Sequence, residues 1–283
     1  MRQSGYAYAY GAGTIINAIA TWKGAAFGID LKTEAEVVLT EDKKIRGYIE
    51  EGGDTTLIER CVELTLLRFG SKLGANVSTK SEIPMASGLK SSSAAANASV
   101  LATLDALGET LHPLEAIKIG VQAALDSKVT ITGAFDDACA SMLGGFVITN
   151  NKKKELISRV ERDSEVLVLS PPEKVFSSAT NVARSRLMAP WVEMAYKEAL
   201  EGNYEKAMTL NGFLYCAALG FGTEPMMAAL EVGIEGVSLS GTGPAYTALG
   251  SPKLLDRLEP LWRGMGGKVI RTKVNNKGGK ACR

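Results

Sequence analysis

The sequence is poor in histidine. His112 is the only one among 283 residues. A zinc site built on several histidines is excluded, and a Ser-His-Asp mechanism would depend entirely on this residue. Cysteine is scarce as well. Cys61, Cys139, Cys216 and Cys282 lie far apart and form no C-x-x-C pair. They are expected to be buried free thiols of a reduced cytoplasmic compartment. Excess charge of either sign is absent: 32 Lys+Arg stand against 31 Asp+Glu, a net of +1. A general nucleic-acid binder would show a basic excess or a basic stripe. No apolar run reaches the roughly 18 residues of a membrane span. The start, Met1-Arg2-Gln3-Ser4-Gly5, has no apolar stretch of the signal-peptide kind.

What is present is the profile of a soluble globular chain, with 46% apolar and 22% charged residues. The length predicts two domains and a core that needs no disulfide or metal staple. Glycine is abundant, 30 residues against 9 prolines, which points to loops where backbone must approach something closely.

The first 50 residues read as strand and glycine-rich loop. Tyr6-Ala7-Tyr8-Ala9-Tyr10 alternates large and small until Gly11-Ala12-Gly13 breaks the pattern. Glu36–Thr40, Ile45–Ile49 and Ala75–Lys80 are further strand candidates. Leu57, Ile58, Cys61, Val62, Leu66 and Phe69 mark one buried face of a helix over 55–69. A second helix runs from the serines after Lys90 to Leu107, and a third from Pro113 to Asp126. Residues 130–137 read as irregular, followed by a strand over 145–149. Lys152, Lys153 and Lys154 read as a solvated turn. A boundary is placed there, giving domains 1–155 and 156–283. The second half predicts a strand over 166–169 and a helical region over 190–221, interrupted near Gly202. A short helix follows over 225–232. Two strands then flank Gly241-Thr242-Gly243-Pro244, before a helix opening at Ser251-Pro252 and a strand over 268–274. The tail from Asn275 is expected to be polar and mobile. Strands and helices mix without regular βαβ repetition, which favours α+β over a doubly wound fold.

Two nucleotide fingerprints fail. A P-loop needs G-x-x-x-x-G-K-S/T, but Leu89 separates Gly88 from Lys90. A dinucleotide fingerprint needs G-x-G-x-x-G, but Ile16 and Tyr246 stand where the last glycine should follow Gly11-Ala12-Gly13 and Gly241-Thr242-Gly243. Pro84-Met85-Ala86-Ser87-Gly88-Leu89-Lys90-Ser91-Ser92-Ser93 is still an anion site on physical grounds. Free N–H groups at a helix start point outward and the dipole favours negative charge. Gly88 allows close approach, Lys90 adds positive charge, and a serine hydroxyl such as that of Ser92 can reach magnesium. The other reading of the same residues is an Ala/Ser helix selected for close packing.

These residues also carry a resemblance. P-x-x-x-G-L-x-S-S-S/A is the central motif of the GHMP kinase superfamily, and Pro84, Gly88, Leu89, Ser91, Ser92 and Ser93 match it. The superfamily usually has glycine where Lys90 stands. Ser238-Leu239-Ser240-Gly241-Thr242-Gly243-Pro244-Ala245 resembles its C-terminal glycine loop, and the segment Gly11–Ala18 its first substrate-side loop. The three occur in family order across nearly the whole chain. G-L-K-S-S-S-A-A-A-N-A with T-G-A-F-D-D-A-C-A-S downstream is similar to the archaeal-type shikimate kinase branch.

The resemblance implies a two-domain α+β fold. Its N-terminal domain would be like ribosomal protein S5 domain 2 and its C-terminal domain ferredoxin-like, with a cleft between them. It implies ATP and Mg2+ as cofactors and phosphorylation of the 3-hydroxyl of shikimate in aromatic amino-acid biosynthesis. Asp136 would face the acceptor hydroxyl. Asp126 with Ser92 would hold magnesium, with Asp137 as fallback for either carboxylate role. Residues 84–93 and Gly241, Thr242 and Gly243 would hold the triphosphate. Arg184 and Arg186 are candidates for the acceptor carboxylate, followed by Asn17 and Lys23. The partner is then a small molecule, with neither nucleic acid nor membrane, and a homodimer is compatible with the reading. Homoserine kinase and a catalytically silent ligand-binding homologue stay open as alternatives.

Overall fold

The structure, a computed structural model, describes residues 3–172 and 181–282. The chain runs β1 (Ser4–Ile16), β2 (Lys23–Thr40), β3 (Ile45–Ile49), α1 (Thr56–Arg68), β4 (Gly74–Ser81), α2 (Ser91–Leu107), α3 (Pro113–Asp126), α4 (Phe135–Leu143), β5 (Phe146–Asn150) and β6 (Glu155–Val160). It continues as β7 (Glu165–Ser170), α5 (Val182–Leu187), α6 (Ala189–Leu200), α7 (Tyr204–Leu219), α8 (Glu224–Glu231), β8 (Gly236–Leu239), β9 (Tyr246–Gly250), α9 (Pro252–Gly264), β10 (Lys268–Lys273) and β11 (Lys280–Ala281). The α+β expectation holds.

A seven-stranded sheet has the order β11-β1-β2-β4-β3, with β5 on β2 and β6 on β5. The long strand β2 makes this branching possible: its first residues pair β5, its last pair β4, and β1 pairs it almost throughout. A four-stranded antiparallel sheet follows in the order β10-β7-β9-β8. Ala7 and Ala9 point inward from β1 while the intervening tyrosines point out, as strand alternation requires. The central helix α2 is buried on most sides and rich in alanine. It lies so close to β1 that a β-carbon on Gly5 would overlap the Ala102 carbonyl. One apolar core joins the two sheets, with Ile15, Phe27 and Phe146 of the first beside Val168 and Leu239 of the second and Tyr215 of α7.

Four local expectations are corrected. Gly11-Ala12-Gly13 does not end β1, which continues to Ile16 because every backbone partner on β2 remains in place apart from two register shifts. The segment read as irregular ends at Ala134, and Asp136 and Asp137 lie in the first turn of α4. The boundary after residue 155 falls within β6, a strand that pairs β5 in the first sheet. The tail is held rather than loose. Asn275 N–H donates to the Gly28 carbonyl at 2.9 Å, and β11 pairs β1. Three of the four cysteines are buried free thiols and Cys282 is exposed. His112 caps α3, its ring nitrogen accepting from the Leu114 N–H at 3.3 Å.

Candidate active site

The three glycine-bearing segments that lie far apart in sequence meet in space. Gly88 has φ +89 and sits so near the Ser240 carbonyl that any β-carbon there would overlap it. The Ser240 hydroxyl donates to the Gly88 carbonyl at 2.9 Å, and Ala245 N–H donates to the Ser87 carbonyl at 2.9 Å. On the other side Ala12 N–H donates to the Leu89 carbonyl at 3.2 Å. The loop of 84–90 is therefore gripped between β1 and the turn of 240–245. The first segment grips that same turn: Thr14 Oγ1 accepts from Gly241 N–H at 2.8 Å, and Asn17 Nδ2 donates to the Gly241 carbonyl at 2.8 Å.

Helix α2 starts without a side-chain cap. Its N-cap is Lys90, left-handed at φ 65, not one of the serines expected to cap it. Helix α4 likewise starts at a left-handed, uncapped residue, Ala134 at φ 47. Non-glycine residues in this region cost about 1–2 kcal/mol each and gather where function demands them. The first-turn N–H groups of α2 are thus left for a ligand, and its dipole favours an anion there.

Both helix starts face one cavity of about 590 Å³. Its lining includes Thr14, Asn17, Lys90, Asp136, Asp137 and Gly241 on the polar side, and Ile49, Leu57, Ile58 and Met85 on the apolar side. The volume lies in the range of small-molecule sites. Asp136 is 4% exposed. Its Oδ1 accepts from Asn151 Nδ2 at 2.7 Å, and Asn151 Oδ1 in turn accepts from Asp136 N–H at 3.2 Å and from Thr149 Oγ1 at 2.7 Å. Burial pushes the Asp136 carboxyl up to about 7, and the charge of Asp137 acts the same way. The Asn151 hydrogen bond and the Lys90 charge oppose them. A carboxyl placed there is poised to hold or release a proton near neutrality. Asp137 is also raised by burial, against the pull of Lys90, whose ammonium lies 3.2 Å from Asp137 Oδ1.

Of the residues named from sequence, Asn17, Met85, Ala86, Gly88, Lys90, Ser91, Ser92, Ser93, Asp136, Gly241 and Thr242 line this cavity. Pro84 and Ser87 line a shallow neighbouring depression with Pro171 and Lys268. Leu89 is buried in the core, and Gly243 packs under the Phe221 ring. Asp126 is not brought to the cavity. Arg60 holds its carboxylate at 2.7 Å and Gln122 donates to it at 2.8 Å, and these bonds lower its carboxyl below the usual range. Lys23 is paired to Glu193 at 2.9 Å and lies over the Tyr196 ring. Arg184 and Arg186 are exposed on α5, with Arg184 donating to the Ala217 carbonyl at 2.9 Å. Residues that sequence reasoning did not single out are Thr14 as a site residue, Asn151, the segment 49–54 and the segment 128–134. Gly52-Gly53 was the available signal for the first of these segments; nothing in the pattern around Asn151 marks it.

The description "GHMP kinases N terminal domain" matches residues 56–145. A shikimate kinase of Methanococcoides burtonii is 62% identical over 283 residues, covering 98% of this chain and 99% of that protein. One of Methanosarcina mazei is 64% identical, covering 98% and 97%. Among solved structures, a homoserine kinase from Cytophaga hutchinsonii superposes with TM-score 0.80 at 18% identity, covering 100% of this chain and 98% of that one. The mevalonate kinase of Methanococcus jannaschii gives 0.77 at 15% identity, covering 96% and 98%.

Proposed function

The chain belongs to the shikimate kinases of the GHMP kinase superfamily, and from that premise we infer that it transfers the γ-phosphoryl group of ATP to the 3-hydroxyl of shikimate. The observation that carries the mechanism is the meeting of an uncapped helix start with a buried carboxyl, that of Asp136, across one cavity.

The first-turn N–H groups of Ser91, Ser92 and Ser93 and the turn of 241–243 hold the triphosphate. The apolar side formed by Ile49, Leu57 and Ile58 takes the base. The acceptor oxygen forms its bond to the γ-phosphorus as the bond to the β–γ bridging oxygen breaks, and the hydroxyl proton passes to Asp136. ADP leaves with the electron pair of the broken bond. Asn151 and the backbone at Gly24 keep Asp136 in one orientation, so no reorganisation is needed at the moment of transfer.

Magnesium fits the residues present. Ser92 lines the cavity at the start of α2, where its hydroxyl is a side-chain donor available to the ion. No cluster of three or more His, Cys, Asp or Glu among the described residues stands ready for a metal on its own. That donor set suits an ion delivered with phosphate oxygens, as magnesium is. When bound, it neutralises charge on the β- and γ-phosphates. Asp126, fixed by Arg60, has no part in this. Soluble small-molecule substrates and unpaired thiols favour a cytoplasmic setting.

The test is turnover with Mg-ATP and shikimate, homoserine or mevalonate, following ADP release and the phosphorylated product. Release with shikimate alone is expected. Release with homoserine alone overturns the acceptor. Nucleotide binding without turnover on any acceptor would mark a silent homologue.

A further inference from the structure

Position 90 sits at the left-handed N-cap of α2, where glycine is the residue of least strain. A lysine stands there instead, and its side chain does not reach for water. It is 9% exposed, and its Nζ lies 3.2 Å from Asp137 Oδ1, whose side chain is 15% exposed. The same ammonium lies against the third glycine segment: a β-carbon on Gly241 would stand 2.5 Å from it. Asp137 is the immediate neighbour of Asp136 on the first turn of α4. The ammonium thus spans the gap between the helix start that takes the phosphates and the helix start that carries the proton acceptor. An unconstrained lysine would extend its head into solvent. Strained non-glycine backbone that borders a ligand cavity gathers where function demands it.

We propose that Lys90 is a catalytic cation. Its ammonium rests on Asp137 before transfer and moves onto the γ-phosphoryl oxygens as charge builds there, and Asp137 is the positioning residue that sets its starting place. This rests on the phosphoryl-transfer reading above. The covalent step is unchanged: the acceptor oxygen bonds to phosphorus, the bridging bond to ADP breaks, and the proton goes to Asp136. Lys90 donates hydrogen bonds only and keeps all its protons. The benefit is confined to the transition state, where the transferring group spreads negative charge over its equatorial oxygens. Gly241 has a matching reason: any side chain there would displace the ammonium from this place.

The test compares wild type, Lys90→Gly, Asp137→Asn and the double variant, all full length. Lys90→Gly relieves the left-handed strain but leaves the buried Asp137 carboxyl without its partner, so kinetics are compared only after thermal unfolding shows each variant folded at the assay temperature. The kcat of Lys90→Gly should drop by about 10²–10³-fold, the usual effect of removing one transition-state donor. Its ADP affinity should stay within about threefold of wild type. Affinity for ADP with aluminium fluoride and magnesium, which imitates the transferring group, should weaken by about 10²-fold. Asp137→Asn should lower kcat by about tenfold alone and add little to Lys90→Gly, because coupled residues are not additive. A Lys90→Gly kcat within fivefold of wild type overturns the proposal. So does equal weakening of ADP and of the fluoride complex, which would make Lys90 a plain anion holder, and so do fully additive losses in the double variant. The fluoride measurement needs no acceptor, so an error in the choice of shikimate would show separately, as a wild type without shikimate-dependent ADP release that still binds the fluoride complex tightly. A wild type that binds neither nucleotide form overturns both readings.

Discussion

Gly24 on β2 faces Asp136 on α4 with no room between them: a β-carbon at residue 24 would overlap Oδ2 of the carboxyl. Oδ1 of the same carboxyl accepts from Asn151 Nδ2. The strand and the amide therefore fix the Asp136 carboxyl from two sides.

Gly24→Ala should displace Asp136 while leaving the triphosphate loop untouched. Misplacing a reacting group by about 1 Å can cost about 10²-fold. The expected result is a kcat lowered by about that factor with the ATP dissociation constant unchanged, read by steady-state kinetics and calorimetry.

Asp136→Asn removes the proton acceptor at nearly constant volume. Turnover with shikimate should fall by at least about 10²-fold, the lower end of general-base contributions. ATP affinity should stay within about threefold, since no donor of the anion site is altered. Retained turnover would show that the acceptor proton leaves by another route.

The pH dependence follows from the raised Asp136 carboxyl. Its ordinary value is 3.8 and in the fold it is pushed up to about 7. The carboxylate is the active form, so kcat should climb about tenfold per pH unit below 7 and level off above it. Stability should run the other way. Between about 4 and 7 the folded chain holds a proton that the unfolded chain has lost, so this group's contribution declines as pH rises through that window. Asp136→Asn should remove that part of the slope in a chemical denaturation series.

Asp126→Asn tests the discarded metal role. The partly exposed pair with Arg60 is worth at most about 1 kcal/mol. Turnover and its magnesium dependence should remain within about threefold of wild type, with a melting temperature lower by a few degrees at most. A large rise in the magnesium requirement would restore Asp126 to the site.

Asn275→Ala tests the held tail. Asn275 is 7% exposed; its Oδ1 accepts from the Lys277 and Gly278 N–H groups, and its Nδ2 donates to Asp30. Leaving these groups unpaired costs about 1–3 kcal/mol. Thermal unfolding should shift down by several degrees.

Much of the architecture was legible because local signals agreed with the global fold. Helices over 56–68, 91–107 and 113–126 lie where apolar spacing, the serines after Lys90 and Pro113 placed them. The misjudged segment was 130–137. There, short polar and small residues favour turns locally, yet α4 begins at Phe135 because that ring is fully buried among helices from elsewhere in the chain. The tail failed for a related reason. Asn, Lys and Gly have no apolar signal, and their order comes from backbone partners on β1 and on the α4–β5 turn.

By itself the sequence located the proposed anion site. Small residues at a helix start, an accommodating glycine and the order of three glycine segments depend on local backbone chemistry, and that chemistry can be read along the chain. Which charged groups serve the cavity was decided only in three dimensions. Asp126 and Arg184 ranked behind Asp136 on paper and Lys23 behind both, and each of the three is held by its own partner outside the cavity lining. Asp136 and Lys90 became special through burial, through Asn151 and Asp137, and through glycines at 24 and 241 that leave them space. Desolvation and mutual charge set what a carboxyl or an ammonium can do, and both are properties of the surroundings that only packing creates.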